Sequence, residues 1–457
     1  MSQQPRLPLW FLVANWLLLV IAFVAGSMLG SRHQLPNLPE PQATALEVIH
    51  AEILKSHVEQ QDGNALLDRA IAAMVGGLDE YSRYVPPAKV ASYVEESTGR
   101  YEGVGMVMSQ QGEDLVVLYP FVGSPAEKGG LLPGDRILTI DGKPVAELPM
   151  ESRSSAANEL VRGPADSDVR LQVARAETTA ELTVHRGPVQ IPVVKWAHLA
   201  DPEQRLGYVF LSDFYPGVAT ELASAIAALG KDGGLRGLIL DLRFDGGGSL
   251  DECIDIANLF LPSGVIVSTR RRDQLLEEFK AEAGKCRFPD LPLVLLVNER
   301  SASASEVLAG AMQDHERAAI VGVRTYGKGY VNTVYTWKNM PFRLKLTTAH
   351  YYTPKGRNID RPHARHGATN PDGSPVVDDP DAGGIVPDVV AAIDPSLSSR
   401  IEERLVTREP PAPYLEAFRA VAATYKIPVP EPPTAAEDSQ LAAALQTLRE
   451  RAGKQSR

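Results

Sequence analysis

A serine at the head of a helix and a lysine in a glycine-flanked turn are the two side chains of this 457-residue chain best suited to covalent chemistry. Both lie between Val297 and Asn332, in VNERSASASEVLAGAMQDHERAAIVGVRTYGKGYVN. A serine hydroxyl becomes a strong nucleophile when a base takes its proton, and a lysine amine can act as that base only if it is neutral near pH 7. Burial supplies neutrality, because apolar surroundings disfavour the ammonium and lower its pKa. Lys328 follows Ser303 by 25 positions.

The elements that must hold these groups follow from hydrophobic periodicity. The apolar run Leu291 to Val297 predicts a buried strand, and Glu306 to His315 predicts a helix. Ser303 then sits where strand becomes helix, beside unpaired N–H groups at the positive end of the helix dipole. Such donors stabilise charge developing on an attacked carbonyl oxygen, and the N–H of Ala304 is the first of them. Lys328 lies in the turn Tyr326-Gly327-Lys328-Gly329, between the apolar strands Ala318 to Val323 and Tyr330 to Trp337. A candidate second donor lies upstream. There the buried strand Leu235 to Leu242 runs into Arg243-Phe244-Asp245-Gly246-Gly247-Gly248, ahead of the helical stretch Leu250 to Phe260.

A SASASE turn followed by a TYGKG turn resembles the signature of the carboxyl-terminal processing, or tail-specific, proteases. The resemblance implies that Ser303 is the nucleophile, Lys328 its general base, and Ser301 and Ser305 bystanders. The family's glutamine four positions after the lysine, which orients the dyad, is replaced here by Asn332, one methylene shorter. The family's DLRNNPGG is kept at Asp241, Leu242, Arg243, Gly247 and Gly248. Phe244 and Asp245 replace its asparagines and Gly246 its proline. By the same resemblance the second oxyanion donor is the N–H of Gly247, with Gly248 as the alternative.

Residues 99–187 resemble a PDZ domain on the strength of Gly103-Val104-Gly105-Met106 and the later SPAEKGGLLPGDRILTIDGKPV. Gly103, Val104, Gly105 and Met106 are expected to offer backbone N–H groups to a peptide's terminal carboxylate while its backbone adds a strand to an open sheet edge. Upstream, Leu66 to Glu96 has a helical period and matches a helical stretch of the family at Asp79, Tyr81 and Ser82, for which packing or a dimer contact is expected and no chemistry.

From Leu7 to Leu29 the chain carries no charge, and these 23 residues exceed the ~20 needed to cross a bilayer as a helix. An uncleaved signal anchor is favoured over a cleaved signal peptide, whose apolar core is shorter, although Val24-Ala25-Gly26 offers a cleavage site. Arg6 and Arg32 flank the span evenly, so an extracytoplasmic, periplasmic-side location rests on the resemblance.

A net charge of −11 excludes nucleic acid as an expected partner, since phosphate binding needs a basic surface. The expected partners are protein substrates with unstructured C-terminal tails and, through the N-terminal helix, a membrane; homo-oligomerisation and delivery by an adaptor stay open. No cofactor and no metal site is expected. His363 and His366 sit in a Pro/Gly-rich loop without a third ligand. A triad using His315 or His350 is disfavoured, since neither belongs to a nucleophile motif. Cys253 and Cys286 could pair outside the cytoplasm, and two free thiols fit equally well.

Predicted strands Gly207 to Leu211, Leu235 to Leu242, Val265 to Thr269, Leu291 to Val297 and Ala318 to Val323 alternate with predicted helices Ala219 to Leu229, Leu250 to Phe260, Gln274 to Ala283 and Glu306 to His315. This is the rhythm of an α/β core. The resemblance adds a Clp-protease or crotonase type of core, with the β-rich PDZ unit inserted. The expected organisation is an anchor or signal (residues 1–30), a linker (31–44), a helical region (45–98), the PDZ unit (99–187), the protease core (188–395) and a helical, Pro-rich extension (396–457). The expected function is a serine endopeptidase cutting near protein C-termini through an acyl-enzyme. The rival is a peptide-holding scaffold that has lost turnover, supported by Asn332 and the altered glycine turn.

Overall fold

The computed structural model describes residues 38–361, 383–407 and 409–455, which fall into two compact units divided after Gly77. The first unit contains the helices Glu40–Ser56 and Gly63–Gly76. Asp62 caps the second by accepting the N–H groups of Asn64 and Ala65, at 2.8 and 3.3 Å. The expected membrane span, Leu7 to Leu29, lies outside the described residues, among which no helix is long and apolar enough to cross a membrane.

The second unit is built on a six-stranded sheet in the order Val194–Asp201, Leu206–Leu211, Gly237–Asp241, Leu293–Val297, Ala318–Gly322, Val389–Val390. The first pairing is antiparallel and the other four are parallel. Every residue of the strands Leu206–Leu211, Gly237–Asp241 and Leu293–Val297 is buried, as a parallel sheet covered on both faces requires. Alternate residues serve opposite faces. Val209, Leu240 and Leu295 pack under the helices Val218–Gly230, Leu250–Phe260 and Ala304–Asp314. Phe210, Ile239 and Val294 pack against Leu405 and Leu448, from the helices Pro395–Val406 and Ser439–Gln455. Each such fully buried side chain contributes roughly 1.5–3 kcal/mol of transfer free energy.

Two expectations are corrected here. Val265–Arg271 does not join the parallel sheet; it lies in an antiparallel sheet with Met340–Tyr352, which also pairs with Arg83–Val85 and Tyr330–Trp337. The predicted helix Gln274 to Ala283 is instead the strand Gln274–Lys280, hairpinned to Val265–Arg271. Its leucines and glutamates favour helix, but Arg272 and Asp273 take positive φ of 50° and 65°, the left-handed two-residue turn that matches strand twist. Leu275 and Leu276 stay exposed, so no buried helical face existed to reward the alternative.

The PDZ sheet runs Met106–Gln111, Asp114–Pro120, Arg136–Ile140, Asp168–Arg175, Thr178–His185, with antiparallel pairings and its own core around Leu115, Val117, Ile137 and Leu171. Met106–Gln111 is an edge strand. At the base of this unit Arg100–Gly103 pairs with Gly187–Gln190, so entry and exit are tied together. In the C-terminal extension the helix Leu415–Tyr425 lays Phe418 and Ala422 on Tyr119, Phe121 and Val189 of the PDZ side.

Candidate active site

Ser303 is the N-cap of the helix Ala304–Asp314 and adopts φ 56°, ψ −113°. A non-glycine residue there is strained, and such strain persists only where surrounding contacts over-determine it. The contacts are on both sides. Ala302 N donates to Asp245 O at 3.0 Å, Ser301 Oγ to Leu242 O at 2.8 Å, and Ser305 Oγ to Asp245 O at 3.0 Å. Ser301 and Ser305 therefore fasten the serine turn to the glycine turn, a structural role for the two bystanders. Gly247, at φ 93°, passes so close that a Cβ on it would sit 2.9 Å from Ser303 Cβ and 2.8 Å from Ala304 N. No larger residue fits there.

The lysine turn is brought to the serine turn by one carboxylate. Glu306, fully buried, accepts the N–H of Ser303 at 2.9 Å and of Lys328 at 2.8 Å on Oε2. On Oε1 it accepts the N–H of Gly327 and the hydroxyl of Thr325, both at 2.6 Å. Burial pushes this carboxyl up to about 7, against the pull of the four donors. Glu306 was not singled out from the sequence as a site residue. The signal was present, since Ser303-Ala304-Ser305-Glu306 has the Ser-x-x-Glu spacing of a capping box, in which the glutamate reaches back to the cap N–H. Replacing Glu306 by Gln leaves one oxygen and one NH₂ facing four donors. The expected outcome is a loss of about 1–3 kcal/mol of stability, read as a lower Tm, together with a fall in kcat that exceeds the rise in KM.

Lys328 is largely buried. Its amine is lowered to about 8, chiefly by loss of hydration and next by the nearby Lys345 cation, with Glu306 and Glu80 opposing. Its Nζ stands over the Tyr81 ring, 4.9 Å from the centroid, and has no hydrogen bond to Ser303 Oγ. Gly327, at φ 90°, lets Arg361 pass where a Cβ would come within 2.3 Å of the Arg361 Cβ.

A profile of peptidase family S41 matches residues 205–372 and a PDZ-domain profile matches residues 116–175. The chain is 37% identical over 298 residues to a carboxyl-terminal-processing protease of Synechocystis sp., covering 64% of this chain and 68% of that protein. It is 33% identical over 317 residues to a carboxy-terminal-processing protease of Bartonella bacilliformis, covering 68% and 71%. The chain belongs to peptidase family S41. Among solved structures, a photosystem II D1 C-terminal processing protease shares 30% identity with a TM-score of 0.41, over 76% of this chain and 86% of that one. This S41 chain is a carboxyl-terminal-processing serine protease with a PDZ domain, a combination that implies binding of protein substrate C-termini.

In this S41 protease the side-chain amide of Asn332 is bonded across the strand pair. Its Nδ2 donates to Thr347 Oγ1 at 3.0 Å, and Thr347 Oγ1 donates to Asp79 Oδ1 at 3.0 Å; it makes no hydrogen bond to Lys328. Asn332 faces Thr347 across the strand pair, and its short side chain is spent on that neighbour. Lys328 is instead backed by Tyr81, whose turn is fixed by Asp79 accepting the Tyr81 N–H at 2.8 Å and the Ser82 hydroxyl at 2.6 Å. The expectation for Tyr81 was packing or a dimer contact, and the packing it makes is against the Lys328 amine.

The oxyanion donors also differ in detail. The N–H of Gly247 is occupied, donating to Asp245 Oδ1 at 2.8 Å. The N–H groups of Ala304 and Gly248 make no backbone hydrogen bond among the described residues. The turn is rooted in a buried ion cluster in which Arg243 Nη2 lies 2.7 Å from both Asp241 Oδ2 and Asp438 Oδ2, and the Tyr208 hydroxyl donates to Asp241. Charges this deep persist only when paired.

In the PDZ unit Gly103 ends its strand, and Val104 and Gly105 accept through their carbonyls from Ala126 and Phe121, at 2.7 and 2.9 Å, while their own N–H groups have no backbone partner among the described residues. Met106 opens the edge strand. A cleft of about 450 Å³ runs along this edge, lined among others by Val104, Met106, Met108, Asn158 and Arg162. The histidines lie elsewhere: His315 Nε2 is 2.7 Å from Val265 O, and His350 lies against Tyr330. His363 and His366 fall outside the described residues, among which no cluster of metal-ligating side chains occurs. Cys253, buried, and Cys286 are both free.

Proposed function

We propose that this S41 protease cuts the unstructured C-terminal tails of proteins by a Ser303–Lys328 dyad, with the PDZ groove at Gly103 to Met106 capturing the terminal carboxylate. The observation that carries this is the Glu306 carboxylate, which clamps a strained serine and a buried lysine turn into one site. Neutral Lys328 takes the Ser303 proton as Oγ attacks the scissile carbonyl carbon. The oxyanion meets the N–H of Ala304 and of the Gly247–Gly248 turn. The C–N bond then breaks as the leaving amine takes the proton from Lys328; water next attacks the acyl-enzyme with Lys328 again as base, and the Ser303 Oγ–C bond breaks as Lys328 returns the proton to Oγ. The amine must swing from the Tyr81 ring to do this, consistent with catalytic contacts that tighten only once substrate binds. The uncharged stretch Leu7 to Leu29 supports a membrane anchor, to be checked by alkaline extraction of membranes, and the family resemblance supports an enzyme on the extracytoplasmic side, to be checked by protease protection.

The test is a peptide with a flexible, apolar C-terminus, offered free or amidated. The free acid should be cut with a KM lower by about tenfold or more, because the open N–H groups bind a carboxylate and not an amide. Equal cleavage of the two would remove tail capture from the mechanism, and binding without fragments would leave only a scaffold.

A further inference from the structure

Asp245 is a carboxyl group standing where DLRNNPGG has an amide, directly beneath the oxyanion turn. It is fully buried and forms no ion pair among the described residues. Oδ1 accepts the Gly247 N–H at 2.8 Å, and Oδ2, equally buried, has no hydrogen-bond partner among the described residues. Gly247 in turn touches Ser303 and Ala304. Whatever charge Asp245 carries is therefore felt at the point where an attacked carbonyl oxygen would become negative.

We propose that Asp245 is a positioning residue of the oxyanion turn that works as a neutral carboxylic acid, and that its ionisation closes the oxyanion hole. As a neutral acid its Oδ1 is a weak acceptor, so the Gly247 N–H can be handed to the developing oxyanion. As a carboxylate it keeps that N–H by a charge-assisted bond and sets a negative charge against the oxyanion.

Burial and the neighbouring Asp213 carboxyl favour the neutral form of Asp245. From the loop after Leu206–Leu211, Asp213 faces it with a second carboxyl, itself pushed up to about 6 by burial. From the helix Leu250–Phe260 comes the Cys253 thiol, raised by burial and by Asp245. From the helix Ala304–Asp314 comes Ser305, bonded to the Asp245 carbonyl. The buried Arg243 guanidinium is committed to Asp241 and Asp438. Loss of hydration first, and Asp213 second, hold the Asp245 carboxyl well above the usual carboxylate range, with the Gly247 N–H and the Ser305 hydroxyl pulling the other way.

The inference rests on Ser303 being the nucleophile, so Ser303→Ala is assayed in parallel; its retained activity would overturn that assignment rather than the role of Asp245. With tail peptide in excess, wild-type kcat should rise with pH and then fall by roughly tenfold per pH unit beyond a second midpoint. Asp245→Asn, which supplies a neutral amide of the same shape, should keep the rise and lose the fall. Difference infrared spectra of wild type against pH supply a readout independent of the variant's folding. The carbonyl stretch of a protonated carboxyl should vanish with the same midpoint as the falling limb. A wild-type profile without that limb, a limb unchanged in Asp245→Asn, or no carboxyl band that titrates with it would each overturn the proposal.

Discussion

Ser303→Ala should lower kcat on a tail peptide by roughly four to six orders of magnitude while leaving the affinity for that peptide within about twofold. The size of the loss follows from the chemistry, because alanine removes the atom that forms the acyl bond and neither neighbouring serine is placed to substitute. Ser301 Oγ is bonded to Leu242 O and Ser305 Oγ to Asp245 O, so both are committed to the fold. Stability should change little, since alanine occupies the same φ of 56° at a similar steric cost and the Ser303 N–H keeps its bond to Glu306. Fragment analysis gives the rate and fluorescence anisotropy of a labelled peptide gives the affinity. Turnover within tenfold of wild type would remove Ser303 from the mechanism.

Lys328→Met should cost about three to five orders of magnitude in kcat, and Lys328→Arg no less, because a guanidinium does not lose its proton in a protein. The pH profile carries the sign. The amine is active when neutral and its pKa is lowered to about 8, so activity should rise with pH with a midpoint near that value and fall about tenfold per unit below it. Lys345 is the charged neighbour that helps hold the amine down. Lys345→Met should move the rising midpoint upward, whereas a change in substrate affinity alone would leave it in place. A wild-type rate already flat at pH 6 would mean that some other group is the base.

Both experiments probe a site whose chemistry the sequence announces more openly than its geometry. The serine turn, the lysine turn and the glycine turn are each legible as a break between an apolar strand and the element after it. The buried strands around them read correctly because the parallel sheet is covered on both faces. The hairpin Val265–Arg271 with Gln274–Lys280 read wrongly, since its second strand uses helix-forming residues and is held by a left-handed turn and cross-strand bonds. Asn332 was read by resemblance to a glutamine, yet its cross-strand partner Thr347, fifteen residues away, takes its amide.

The sequence alone determined the residue types, the strand-to-helix junction at Ser303 and the presence of a peptide-binding unit, because periodicity, turn residues and local motifs are written within a few positions of one another. Tertiary structure alone decided that Glu306 joins the two turns, that Tyr81 lies under Lys328, and that Asp245 holds the Gly247 N–H without a counter-charge. Those contacts depend on burial and on approaches between separate segments, and burial sets the protonation of a lysine, a glutamate or an aspartate in ways that residue type does not.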